Sequence, residues 1–532
     1  MPSTKKLLSI TNLKKYFPIA KSSIFQRQQY YVKANEDISL DIYEGETLGI
    51  VGESGCGKST LGRVLLQLYE QTAGTTMYYG MSRAELAPRY VTDTLRHAKR
   101  YISRLHAAQA RADAASAKVS QLGEAATFFD LQNKNLAVAE YQTAQAHIAK
   151  ILGGFLVRDT EQGAALLYRK ARLEEGAAAL SDRIRDIELM LDEAEGGTAD
   201  DGTPANASQL ARLKGRCDRL TRERDGLNAQ IREAEQSIAA IKQAHRDDPE
   251  FQRYEAMLDD GIDLARLKYS EMRILRKDLQ IIFQDPYSSL NPRFTIGQII
   301  EEGLVTHKFF RHGSPKMREH VVRTMKECGL QEYMLFRYPH QFSGGQRQRI
   351  SIARALAVHP KFVVCDECGS ALDVSIQSQI INLLQELKQK EHLTYMFISH
   401  DLSVVRYISD RICVMYLGNV VELADAATVF GDPRHPYTVA LLSSIPTTDM
   451  ESLKKERILL EGSIPSPVKP PDGCKFHTRC WMACDKCRRV PPPLAEIEPG
   501  HFVACHFPER KLDENGNYLF EMPKTEKKSA KE

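Results

Sequence analysis

The chain has 532 residues, which at roughly 100–200 residues per domain allows about three domains and excludes a single small module. Lys plus Arg number 72 against 69 Asp plus Glu, a net +3, so there is no basic excess of the kind that draws a protein to nucleic acid. At 42% apolar and 27% charged the composition is globular, and no stretch nears the roughly 18 continuous apolar residues that a bilayer span needs.

The first residues, Met-Pro-Ser-Thr-Lys-Lys, carry charge without an apolar segment behind them, which predicts a cytosolic protein with mostly reduced cysteines. Residues 1–80 alternate strand-like runs with turns: Ile38 to Tyr43, Glu44-Gly45, then Thr47 to Val51. Directly after that apolar run comes Gly52-Glu53-Ser54-Gly55-Cys56-Gly57-Lys58-Ser59, which fits G-x-x-x-x-G-K-[ST] and precedes a helical segment from Thr60 to Leu68. Glycines let successive N–H groups turn inward on a phosphate. The helix start adds its positive end, Lys58 supplies charge to the β- and γ-phosphates, and Ser59 offers a hydroxyl to Mg²⁺.

From 81 to 270 the character changes. Leu173, Ala177, Leu180, Ile184, Ile187 and Leu191 form one apolar stripe, and Leu210, Leu213, Cys217, Leu220, Leu227, Ile231, Ala234, Ile238 and Ile241 form another. The breaker-rich Gly196 to Pro204 lies between them, so the region reads as an inserted antiparallel coiled-coil hairpin, with packing inside the insert as the plainer alternative. Strand-like runs return over 271–445, at Leu279 to Phe283, Phe362 to Cys365 and Leu393 to Ser399. The second of these ends in Asp366-Glu367, placing a Mg²⁺ ligand and a carboxylate for the attacking water at a strand's C-terminal edge. Prolines crowd 446–510, where Cys474, Cys480, Cys487 and Cys505 stand at C-x5-C-x6-C-x17-C, and the tail 511–532 reads as disordered. Four thiolates suit tetrahedral Zn²⁺ or a [4Fe–4S] cluster, and spacing alone does not choose between them. Cys484 is the spare cysteine.

Phe342-Ser343-Gly344-Gly345-Gln346, then Asp366-Glu367, Ser370-Ala371-Leu372-Asp373 and Ser399-His400-Asp401 together resemble the nucleotide-binding subunits of ABC transporters. The stretches Asp285 to Arg293, Cys365 to Gln377 and His435-Pro436-Tyr437-Thr438 narrow the likeness to the oligopeptide/dipeptide import ATPases over about 1–80 and 272–508. This resemblance implies an α/β P-loop ATPase with a small cysteine-rich extension, binding ATP and Mg²⁺. Its catalytic residues would be Glu367, His400 and Gln284, with Gln284 also at the metal beside Ser59 and Asp366. The nucleotide would contact Gly52, Ser54, Gly55, Cys56, Gly57, Lys58, Ser59 and Thr60, with Tyr31 or Tyr30 on adenine. Ser343, Gly344, Gly345, Gln346 and Asp373 would act across a dimer. It implies as partners a second ATPase subunit, two membrane permeases and an extracytoplasmic solute-binding protein, at the cytoplasmic face of the membrane and without nucleic acid. It shifts the cysteine reading towards iron–sulfur. Nickel or another small solute is the alternative cargo, and a DNA-associated ABC ATPase with a helical arm is the rival class. The insert's partner is left unnamed. One departure from the family is Cys368-Gly369 after Asp366-Glu367, where a proline and a bulkier residue are usual.

Overall fold

The computed structural model describes residues 4–21, 28–195, 207–310, 312–370, 372–445 and 458–508. The breaker segment Gly196 to Pro204, Ala371 of the D-loop and the tail 511–532 therefore lie outside the described residues. Described strands, in chain order, are β1 (Lys6–Pro18), β2 (Tyr31–Tyr43), β3 (Thr47–Val51), β4 (Ala73–Tyr78), β5 (Ile262–Asp263), β6 (Leu279–Ile282), β7 (Phe362–Asp366), β8 (Thr394–Ile398), β9 (Arg411–Tyr416), β10 (Asn419–Asp425), β11 (Ala495–Glu498) and β12 (His501–Val503).

The chain divides into two compact units. The first, Met1–Leu7 with Thr11–Thr72 and Arg276–Glu532, is built on an eight-stranded sheet of order β11-β12-β10-β9-β3-β8-β7-β6. Its centre is parallel: β3 pairs with β8 and β9, β8 with β7, and β7 with β6. Every residue of β3, β7 and β8 is buried, which is why these strands read as continuous apolar runs rather than alternating ones. The main core extends from this sheet through Ile296, Ile300, Ile350 and Leu384 to Phe476 of the C-terminal extension.

The second unit comprises Leu8–Ile10 and Ala73–Leu275. It opens at 73 rather than 81 because β4 is a strand of this unit, pairing antiparallel with β5 through Met77↔Asp263 and Tyr78↔Ile262. The helix Phe128–Leu152 starts on a capping box between Thr127 and Asp130. The helices Thr160–Glu195 and Ala207–Ala244 carry the two apolar stripes and run antiparallel. Asp159 meets His245 at 2.6 Å and Lys170 meets Glu235 at 2.9 Å, while Leu180, Ile184 and Ile187 bury against Leu220. Gly176 lets the helices approach, since a Cβ there would stand 3.1 Å from Leu227 Cδ1.

In the first unit Glu36 on β2 accepts hydrogen bonds from Tyr16 Oη (2.7 Å) and Lys475 Nζ (2.8 Å), joining β1, β2 and the C-terminal extension. Burial alone would raise its carboxyl, but Lys475 and then Lys33 outweigh burial and hold it down at about 2. Near-complete burial pulls Lys475 down even beside that carboxylate, so the pair's net contribution is smaller than the Glu36 shift alone gives, on the order of 1–2 kcal/mol. A depressed carboxylate stabilises the fold above its unfolded value and loses that contribution as pH falls through its folded value. Denaturant unfolding should therefore weaken between pH near 4.5 and pH near 2. The substitution Glu36→Gln should flatten that segment while lowering stability at neutral pH.

Candidate active site

Four adjacent strands, in the order β3-β8-β7-β6, end at the same edge and bring the predicted residues there. β3 runs into the Gly52–Ser59 loop, whose turn depends on Gly57: its φ is 101°, and a Cβ would stand 2.1 Å from Ala34 O. The helix Lys58–Leu65 follows, with Lys58 and Ser59 at its first positions and Thr60 after them. The buried Lys58 ammonium donates to Gly52 O (2.8 Å) and Glu53 O (3.1 Å), so the loop's own carbonyls hold it where phosphate oxygens would replace them. Cys56 is buried, and burial pushes its thiol up. No hydrogen bond ties the Ser54 or Gly55 side of the loop to the signature residues among the described residues.

Ser59 Oγ donates to Asp366 Oδ1 at 2.6 Å. A hydroxyl and a buried carboxylate side by side form a donor pair of the right hardness for Mg²⁺, so these residues fit the ion. Arg63 Nη2, which the motif does not flag, reaches Asp366 Oδ2 at 3.4 Å. At the tip of β7, Glu367 adopts φ of +49°, unusual for a side chain with a Cβ, and its N–H donates to Ile398 O at 3.0 Å. That turn aims its carboxylate at two neighbours. Gln284 Nε2 donates to Glu367 Oε2 at 2.8 Å, and His400 Nδ1 lies 3.6 Å from the same oxygen. The residues predicted as catalytic thus meet at one carboxylate.

Beside it, Cys368 is buried and engages the Cys365 thiol, whose titration that contact, with burial, pushes far up.

Ser343 caps the helix Gly344–Leu356 in a reciprocal box: its Oγ accepts from Gln346 N (3.4 Å), and Gln346 Oε1 accepts from Ser343 N (3.2 Å). Ser343 and Gly344 are exposed, and Gly345 packs on Ile376, near Asp373 at the start of the helix Val374–Glu391. Among the described residues no hydrogen bond joins Ser343–Gln346 to Gly52–Thr60, and Ser343 and Gly344 at the capped helix start are exposed. Tyr31 lies half-buried, 6.2 Å from the Tyr16 ring. It shares a strand face with Asn35, whose Nδ2 donates to Gly57 O at 3.1 Å.

Cys474, Cys480, Cys487 and Cys505 line one narrow cavity together with His435 and Phe476. The donor chemistry suits a soft metal or cluster. The spacing is looser, for among the described residues no three His, Cys, Asp or Glu side chains converge closely enough to hold an ion. Burial pushes Cys480 up to about 12 and Cys505 to about 11. Cys484 stands outside that lining, its sulfur 3.8 Å from Cys487 Sγ.

Comparison with known proteins agrees with this geometry. The ABC transporter family model matches residues 35–154 and 250–370, and the model for the oligopeptide/dipeptide transporter C-terminal region matches 421–487. The oligopeptide transport ATP-binding protein AppF of Bacillus subtilis is 51% identical over 254 residues, 47% of this chain and 76% of AppF. YkfD of the same bacterium is 53% identical over 248 residues, covering 46% and 75%. The chain belongs to the ATP-binding subunits of ABC transporters.

As an ABC-type ATPase it converts ATP and water to ADP and phosphate. Lys58 and the loop amides would bind and orient the triphosphate, while Ser59 and Asp366 would hold Mg²⁺, which would supply charge neutralisation at the phosphates. Gln284 and His400 both approach the Glu367 carboxylate at the strand edge where the phosphate loop also begins. Gly345 is a sterically constrained point: a Cβ there would lie 2.6 Å from Ile376 Cγ2, whereas one at Gly344 would stand 3.4 Å from Leu372 Cδ2. Denaturant unfolding should show Gly345→Ala destabilised by about 1–3 kcal/mol, with Gly344→Ala within about 0.5 kcal/mol of the parent.

Proposed function

We propose that this ATPase powers uptake of di- or oligopeptides through partner permeases, working as one half of an ATPase pair. The observation that carries the paired site is the capped signature helix, whose Ser343 and Gly344 stay exposed while Lys58 and Glu367 form the rest of the machinery elsewhere. In the closed pair, Ser343, Gly344, Gly345 and Gln346 of one subunit stabilise the γ-phosphate held by the other, and Asp373 sits at the seam. ATP binding favours the closed form and hydrolysis releases it. Tyr31 stacks on adenine. Peptide cargo follows from the likeness to AppF and from the match of residues 421–487 to the oligopeptide/dipeptide C-terminal region.

The permeases complete the assembly, with this ATPase at the cytoplasmic face of the membrane and a solute-binding protein on the outer side. Tyr287, 66% exposed beside Asp285-Pro286 and only 4.9 Å from the Arg347 guanidinium, supplies an apolar contact for a permease where the Gln284 loop moves with the nucleotide. The four cysteines share one cavity but would have to draw closer together to take up an iron–sulfur cluster, with zinc as the alternative; iron, acid-labile sulfide and zinc content of anaerobically purified protein separates the two. The paired helices of the insert form a coiled-coil arm that docks a further protein.

The deciding experiment is reconstitution with the permeases, the solute-binding protein and the second ATPase in proteoliposomes. Labelled dipeptide should enter in an ATP-dependent way; uptake of nickel without peptide, or no uptake, overturns the cargo assignment. In the same assembly Glu367→Gln should bind ATP normally and lose turnover by about 10²–10⁴. Near-parental hydrolysis in that variant would refute the role given to Glu367.

A further inference from the structure

The phosphate loop carries an acid, Glu53, between Gly52 and Ser54. A carboxylate at this place repels an incoming triphosphate and leaves the loop with a charge it must hold away from the ligand. The structure gives Glu53 a partner from far along the chain. Arg479 Nη1 donates to Glu53 Oε2 at 2.7 Å and Nη2 to Oε1 at 3.1 Å, a two-pronged pair between residues 426 apart in sequence. The Arg479 side chain is 7% exposed and that of Glu53 25%, so the pair is shielded on the Arg479 side.

Arg479 rests on a rigid base. Its loop begins at Lys475, whose buried ammonium donates to Glu36 Oε2 (2.8 Å) and Leu417 O (2.9 Å). Phe476 is fully buried, its ring 5.2 Å from Tyr416 and 5.4 Å from Tyr437. Tyr437 completes the hold, because its hydroxyl accepts from Glu53 N at 2.8 Å. The backbone and the side chain of Glu53 are thus both fixed from the C-terminal part of the chain. The other end of the loop is Cys480, beside the cysteine cavity, but nothing in this hold requires an occupant there.

We propose that Arg479 is a positioning residue of the nucleotide site: it neutralises Glu53 and fixes the phosphate loop, making the C-terminal extension part of ATP binding. This rests on the assignment of Gly52–Ser59 as the phosphate loop, so the full-length Lys58→Ala variant serves as a separate control. If ATP affinity survives in Lys58→Ala, that assignment fails; if it is lost there, the arms below speak to Arg479 alone.

The measurement is the ATP dissociation constant of the full-length chain, by displacement of a fluorescent ATP analogue, with a melting curve for each variant. Arg479→Ala should weaken ATP binding about tenfold, and Arg479→Lys, which keeps the charge but not the fork, by less. Adding Glu53→Gln to Arg479→Ala should recover most of the affinity, because the uncompensated carboxylate is then gone. In the assembled transporter the same variants should raise KM for ATP and leave kcat within about twofold. A purely structural role would lower the melting temperature without moving the dissociation constant, and Glu53→Gln would restore nothing. The proposal is overturned if folded Arg479→Ala binds ATP within twofold of the parent, or if Glu53→Gln fails to rescue it. Should Arg479→Ala not fold, Arg479→Lys and single Glu53→Gln decide: the first must weaken ATP binding and the second must leave it equal or tighter.

Discussion

The site depends on one constraint, the lateral adjacency of four parallel strands. β3, β8, β7 and β6 are hydrogen-bonded neighbours in that order, so whatever follows each C-terminus arrives at the same edge within one strand spacing of the next. β3 delivers the phosphate loop, β8 delivers His400, β7 delivers Asp366 and Glu367, and β6 delivers Gln284. The contacts Ser59–Asp366 and Gln284–Glu367–His400 are consequences of that order. A one-residue slip of β7 would swap the faces that Asp366 and Glu367 present, and the full packing of this strand on both sides resists it.

The same constraint explains how a second unit of about 200 residues interrupts the first without disturbing it. The chain leaves after the helix Lys58–Leu65 and re-enters at β6, an edge strand of the parallel set. The paired helices meanwhile have their own cores, at Leu180, Ile184, Ile187 and Leu220 and around Phe155 and Phe251. An insertion with a self-sufficient core leaves the ladder of its host intact.

Much of this was legible in the sequence, and the reasons differ by residue. Lys58, Ser59, Asp366, Glu367 and His400 follow apolar runs, and a run that ends in a polar group announces a strand tip. The two helical stripes were legible because a heptad pattern declares a partner of the same kind. The strand Ala73–Tyr78 was not, since Ala-Gly-Thr-Thr-Met-Tyr has neither alternation nor a long apolar run, and one of its two neighbours in the sheet is only the two-residue Ile262–Asp263. For the cysteines, spacing located the four that share a cavity but said nothing of how loosely their sulfurs face one another, or of Cys484 lying against Cys487. Arg63 and Arg479 are ordinary cations in sequence, with no local pattern that names Asp366 or Glu53 as their targets.

Those silent partners share a physical logic. Each recruits a guanidinium to a carboxylate that borders the triphosphate, Arg63 at Asp366 and Arg479 at Glu53. A site that must accept several negative charges cannot leave its own carboxylates uncompensated, because in a partly dry cleft their repulsion grows as screening falls. Asp366 is relieved from within the P-loop helix, one turn after Lys58. Glu53 is paired instead from the C-terminal extension, by Arg479 on the loop built on Phe476 and Lys475. The C-terminal extension is thereby tied to the nucleotide site by charge as well as by packing, and the chemistry of the phosphate loop reaches the last described domain of the chain.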